Sequence, residues 1–206
     1  MAALTPMVHA ERRSLADFLD TITPEQWTAP TWCDKWNVQE LVAHLTAAGN
    51  ITAPHFFGGF IRTGFNFDKF VEGDLRNYAG GTPADVKSRY DKIIDSNRKP
   101  PGPGYVALGE IMVHGEDIRR ALGAKGDHPA DHLTTLAESY KKTGAPLRAK
   151  KRLVGLKLTA TDVDWSTGEG PEVRGPCMSL ILAMVGRQGA LADCEGDGVE
   201  TLRSRN

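Results

Sequence analysis

Cysteine is scarce in this chain: 206 residues hold three, Cys33, Cys177 and Cys194. An odd, sparse set excludes a disulfide framework and suits free thiols in a reducing cytoplasm. Long apolar runs are missing too. The longest, Met178 to Val185, falls far short of the roughly 20 residues a membrane span needs. Met1 is not followed by a basic stretch and an apolar one, so no secretory signal is expected. Neither sign of charge dominates, since 25 Lys and Arg stand against 26 Asp and Glu. That balance speaks against a nucleic-acid sleeve or a polybasic membrane anchor. There is no internal repeat and no low-complexity tract. What remains is the composition of an ordinary soluble globule, 40% hydrophobic and 25% charged, which excludes disorder and collagen-like repeats. The length allows one generous domain, or a medium and a small one.

The first 145 residues read as helices. Leu15, Phe18, Leu19 and Ile22 form one stripe in the segment from Ala10 to Ile22. Thr23-Pro24-Glu25-Gln26 is a capping box with proline at the first helical position, opening a short helix through Trp27. Asn37 caps a second long helix with Glu40 at its third position, and Val38, Leu41, Val42 and Leu45 on the buried side. Thr82-Pro83 starts another, and the Pro/Gly string from Pro100 to Gly104 breaks the chain. Tyr105 to Leu122 follows as a helix ended by Gly123, and a weaker one runs from about Leu133 to Lys142. The stretch from Gly58 to Gly73 reads as irregular, a place for a pocket mouth. Beyond the basic linker Lys141 to Arg152 the period changes to two at Leu156, Leu158 and Ala160. A turn at 166–171, a strand at Glu172–Arg174, an all-round apolar helix Cys177–Gly186 and a last strand Val199–Leu202 complete the tail. The expected fold is α+β: an up-down four-helix bundle over residues 1–145, and a small docked β–β–α–β domain over 152–206.

Glu110 and His114 are four apart on one helix, so their side chains share a face. With one imidazole from a neighbouring helix, such as His44, they supply three ligands to one side of a divalent ion and leave the other side open. The same spacing also serves a solvated hydrogen-bonded pair on an outer face. His128 and His132 read as surface residues near a loop, and His55 as a loop residue or a fourth ligand. Trp27 and Trp36 read as packing residues at helix entries. Cys33 has no histidine near it in sequence and reads as structural, while Asp117 is placed to orient His114.

The run from Trp27 to Leu45, with its Cys33-Asp34-Lys35-Trp36 and His44-Leu45, resembles the opening signature of the DinB-like, mycothiol-dependent maleylpyruvate isomerase family. Glu110 to Arg119 matches the family's Glu-x-x-x-His followed by Asp and Arg, and Ala160–Trp165, Gly175-Pro176 and Gly186-Arg187 resemble its small C-terminal domain. The resemblance implies His44, Glu110 and His114 as metal ligands, a divalent ion with zinc foremost, and mycothiol as thiol cofactor. It places Arg187 near the substrate or the thiol, where a helix-end cation is the alternative. It further implies an enzyme in which a metal-held thiolate attacks an electrophilic small molecule, as isomerase or as thiol transferase. The expected partners are that electrophile and the thiol, with neither nucleic acid nor membrane, in a cytoplasmic monomer or homodimer. Two other classes stay open: a sterol-carrier-like module for an apolar ligand, and a metal-stabilised stress-related bundle without turnover.

Overall fold

The computed structural model describes residues 4–145 and 147–205. These form two compact units that divide between Gly126 and Asp127.

The first unit holds helices α1 (Leu4–Leu19), α2 (Val38–Asn50), α3 (Ala53–Arg62), α4 (Phe67–Ala79), α5 (Pro83–Asp91) and α6 (Tyr105–Ala121). A 3₁₀ turn, Pro24–Thr28, follows α1. α2 sits in the middle of the bundle, against α4, α5 and α6, while α1 packs on α5 and α6. Its apolar positions Val38, Leu41 and Val42 are fully buried, as are Leu108, Met112 and Ile118 of α6. The start of α2 is fixed by a capping box. Asn37 Oδ1 accepts the Glu40 N–H at 2.9 Å, and Glu40 Oε2 accepts the Asn37 N–H at 3.0 Å. The end of α6 is a Schellman turn, in which Gly123 takes φ 78° and Ala124 N–H donates to the Arg119 carbonyl at 2.8 Å. Between α5 and α6 the chain is held by Arg12, which donates to the carbonyls of Ile93 and Ser96 at 2.8 and 2.7 Å.

The stretch from Gly58 to Gly73 falls within α3 and α4 apart from the turn at 63–66, contrary to the irregular loop expected there. Thr52 Oγ1 caps α3 by accepting the His55 N–H, and Asn66 Oδ1 caps α4 by accepting the Lys69 N–H. Three glycines and the turn at 63–66 interrupt the apolar residues of this stretch, which hid two short helices. α3 buries none of its residues.

The second unit contains α7 (Ala130–Tyr140), α8 (Ala149–Arg152), β1 (Lys157–Ala160), β2 (Ser166–Thr167), β3 (Glu172–Gly175), α9 (Cys177–Met184) and α10 (Val199–Arg203), with a 3₁₀ turn at Gln188–Asp193. The sheet order is β2-β1-β3, with β1–β2 antiparallel and β1–β3 parallel, Leu158 facing Val173. All eight residues of α9 are buried, and its cover includes α7, β1 and β3. Because α7 packs with α9, this unit starts earlier than the basic linker Lys141 to Arg152. The expected last strand at 199–202 is instead α10. Glu195 exchanges two 2.8 Å backbone bonds with Arg174, and Gly198 N–H donates to Glu172. These bonds occupy the open edge of β3 before the chain reaches Val199, leaving that segment to wind into a helix around buried Leu202.

Candidate metal centre

The Asn37–Glu40 capping box sets where α2 begins and therefore which way His44, two turns on, faces. It faces α6. His44 Nε2 lies 2.9 Å from Glu110 Oε2, and His114 Nε2 lies 3.7 Å from the same oxygen. One ligand atom from each of the three residues falls within 4.8 Å of the other two. Two imidazole nitrogens and a carboxylate oxygen, each about 2.0–2.2 Å from one tetrahedral zinc ion, would stand roughly 3.3 Å apart. The 2.9 and 3.7 Å separations bracket that spacing, so the donor set fits a divalent ion.

The rings are held from behind. His114 Nδ1 lies 2.9 Å from Asp117 Oδ2, and Asp117 is fully buried. With its proton on Nδ1 given to that carboxylate, His114 presents the Nε2 lone pair towards Glu110. The Trp36 ring stacks on His44, centroids 4.7 Å apart and planes at 27°, and meets His114 edge-on at 6.4 Å. Trp36 thus supports a candidate ligand as well as the helix entry. The segment carrying it is pinned to α6 by the Trp32 N–H donating to the Asp117 carbonyl at 3.2 Å, with the Arg120 guanidinium over the Trp32 ring.

That same pinning brings Cys33 next to His114 and Asp117, with ligand-type atoms of the three within 4.8 Å. Sequence reasoning missed this neighbour because Cys33 and His114 stand 81 positions apart in the chain. The outer-face alternative for Glu110, His114 and Asp117 fails, since the His114 side chain is 15% exposed and Asp117 is buried. His55 stands apart from the cluster on α3, its Nε2 2.8 Å from Asp74 Oδ1. His128 and His132 are buried, not surface residues; His132 lies on the buried side of α7 and His128 just before that helix. Arg187 lies in the second unit after Gly186 and shares the neighbourhood of Arg152, whose guanidinium is pushed down by burial and by Arg148 and Arg187.

Burial alone would lower the His114 imidazole. The hydrogen bond to Asp117, the Cys33 side chain and the charge of Glu110 outweigh it and raise His114 to about 10. The site therefore stabilises positive charge at Nε2, as proton or as metal. In the chelated, metal-free protein this works as a pH-dependent contribution. It is complete below the ordinary histidine value of about 6.5 and lost as pH rises towards about 10. Melting temperatures of chelated protein should fall across that window, and less so in His114→Asn. Equal slopes for the two proteins would contradict the assignment.

An apolar cavity of about 170 Å³ opens beside the cluster, with His44 and Glu110 in its wall. A family model, that of the mycothiol maleylpyruvate isomerase N-terminal domain, matches residues 8–153. The chain belongs to that family. Two crystal structures share the fold of this member of the mycothiol maleylpyruvate isomerase family. One is a mycothiol-dependent maleylpyruvate isomerase, with TM-score 0.66 and 13% identity, covering 95% of this chain and 92% of that one. The other is a histidine-to-alanine mutant of a mycothiol-dependent maleylpyruvate isomerase, with TM-score 0.65, 12% identity and the same coverage. At these identities the likeness concerns the fold. No curated protein matches the chain. No helix among the described residues is long and apolar enough to cross a membrane.

Proposed function

We propose that this protein is a metal-dependent enzyme that activates a low-molecular-weight thiol, mycothiol, for addition to an electrophilic small molecule, as an isomerase of the maleylpyruvate type or as a thiol transferase. The observation that carries this reading is the convergence of His44, Glu110 and His114 on one point beside an apolar cavity. Three protein ligands on one side leave coordination positions for an exogenous group, the pattern of catalytic and not structural sites. When bound there, a divalent ion, zinc foremost, lowers the pKa of a coordinated thiol so that thiolate is present near neutral pH.

The chain's own residues do the rest. Glu110 brings one negative charge, which leaves a divalent centre with net positive charge to attract a thiolate. Asp117 fixes the His114 ring and its tautomer, and Trp36 fixes the His44 ring. Asp117→Asn should weaken zinc binding roughly 10- to 100-fold, as loss of a carboxylate behind a histidine ligand does. Competition with a chromophoric chelator measures it; unchanged affinity would remove Asp117 from the centre.

Arg187 is assigned to an anionic group of the thiol cofactor or the substrate. The support is its place in a cluster of positive charge with Arg148 and Arg152, and the bidentate geometry of a guanidinium. Arg187→Lys should raise KM while metal content and Tm stay as they are. A KM equal to that of the parent would remove the assignment. Three free cysteines suit a reducing compartment, in keeping with a cytoplasmic enzyme. The decisive experiment is turnover of an electrophile by the metal-loaded protein with mycothiol, its loss on chelation and its return with zinc. Turnover that survives complete metal removal would overturn the proposal.

A further inference from the structure

Resting on the thiol-activation reading in its transferase form, we infer that the electrophile this chain accepts is a neutral, apolar molecule with an aromatic or branched aliphatic body, and not a dicarboxylate, which leaves Arg187 to an anionic group of the thiol. The cavity beside His44 and Glu110 is walled by Ile51 just after α2, Phe56 of α3, Phe67, Phe70 and Val71 of α4, and Val106 of α6. Its charged or titratable lining consists of His44, Glu110 and Asp74, without a lysine or arginine. Asp74 is already engaged by His55 at 2.8 Å. With Glu110 taken up by the ion, the body of a carboxylate-bearing guest would meet Asp74 and an aromatic wall without a lysine or arginine to pair with, and burying an unpaired anion is costly.

The aromatic wall is built, not incidental. Phe70 is buried, packed T-shaped on Phe56 with centroids 5.4 Å apart and tilted against Phe67 at 6.5 Å. A Cβ on Gly59 would press into the Phe70 ring, so glycine at that position lets α3 close over it. Six of the seven phenylalanines fall between residues 56 and 70. Aromatic edges and faces around a cavity favour a flat apolar guest.

In the transfer reaction this implies, the thiolate sulfur attacks the electrophilic carbon and a sulfur–carbon bond forms. With an aryl chloride the carbon–chlorine bond then breaks, chloride leaves with the electron pair, and the thiol proton passes to solvent. The test compares chlorodinitrobenzene with chlorodinitrobenzoate, which differs by one ring carboxylate, using metal-loaded protein and mycothiol. The benzoate should have kcat/KM lower by more than about 100-fold, beyond its intrinsic difference in solution. In Val71→Lys the preference should narrow or reverse.

A second measurement needs neither metal nor thiol: binding of the neutral fluorophore phenylnaphthylamine, saturable in the parent protein and lost in Val71→Lys. If the fluorophore binds so but neither electrophile is turned over, the thiol-activation reading fails and the pocket assignment stands. If both electrophiles are turned over equally, or the benzoate is preferred, the pocket assignment is overturned and thiol activation stands. Absence of saturable fluorophore binding in the parent likewise overturns the pocket assignment.

Discussion

Alanine at His44 or at His114 should leave the purified chain without stoichiometric metal. Each change removes one of three donors that converge within 4.8 Å, and the remaining pair, Glu110 with a single imidazole, offers no more than a surface Glu–His pair does. Affinity should fall by more than the roughly 10- to 100-fold typical of losing a group behind a ligand. Elemental analysis after dialysis reads the effect, with circular dichroism to show that the helices persist. His44→Ala also strips Trp36 of its stacking partner, so His114→Ala is the cleaner of the two for stability. Metal at one equivalent in both variants would refute this ligand set. Mycothiol-dependent turnover should disappear in parallel with the metal.

Gly168→Ala should unfold the second unit's sheet while sparing the metal centre. Gly168 follows β2 with φ +77°, a region where a side chain is strained. A Cβ there would overlap the Leu156 carbonyl oxygen, backbone that cannot swing aside without breaking the β1–β2 pairing. Strain and steric overlap together should cost about 3 kcal/mol or more, among the larger effects of a single substitution. Thermal unfolding should show a clear drop in Tm, or a separate early transition. His44, Glu110 and His114 all belong to the unit that ends at Gly126, so metal per chain should stay near one equivalent. An unchanged Tm would mean that the turn is not held in this conformation.

Much of this was legible in the sequence because capping chemistry is local. Asn37 with Glu40, Thr82 before Pro83, and Gly123 after α6 each act over a few residues, and each bounds a helix where the sequence places it. The facing of Glu110 and His114 follows from helix geometry alone. What stayed hidden is what depends on distance along the chain. Cys33 and Trp36 reach the centre because the Trp32 backbone and ring are tied to α6, a contact that no spacing within 27–45 announces. α3 and α4 were masked by the glycines within them and the turn at 63–66 between them. α10 replaced a strand because Glu195 and Gly198 had already satisfied the edge of β3.

The capping pair at the start of α2 makes the segment from Asn37 to His44 a ruler of fixed length. An α-helix advances about 100° per residue, so one residue gained or lost between Glu40 and His44 would swing the imidazole from α6 towards solvent or another neighbour. Moving it by a whole turn would restore the angle and displace the ring by about 5.4 Å, out of reach of Glu110. Neither error can be corrected downstream. Length can vary instead beyond α2, where α3 buries nothing and the chain can lengthen without turning a ligand. The angular phase of one helix, set by two side chains three residues apart, thus decides which insertions the centre survives.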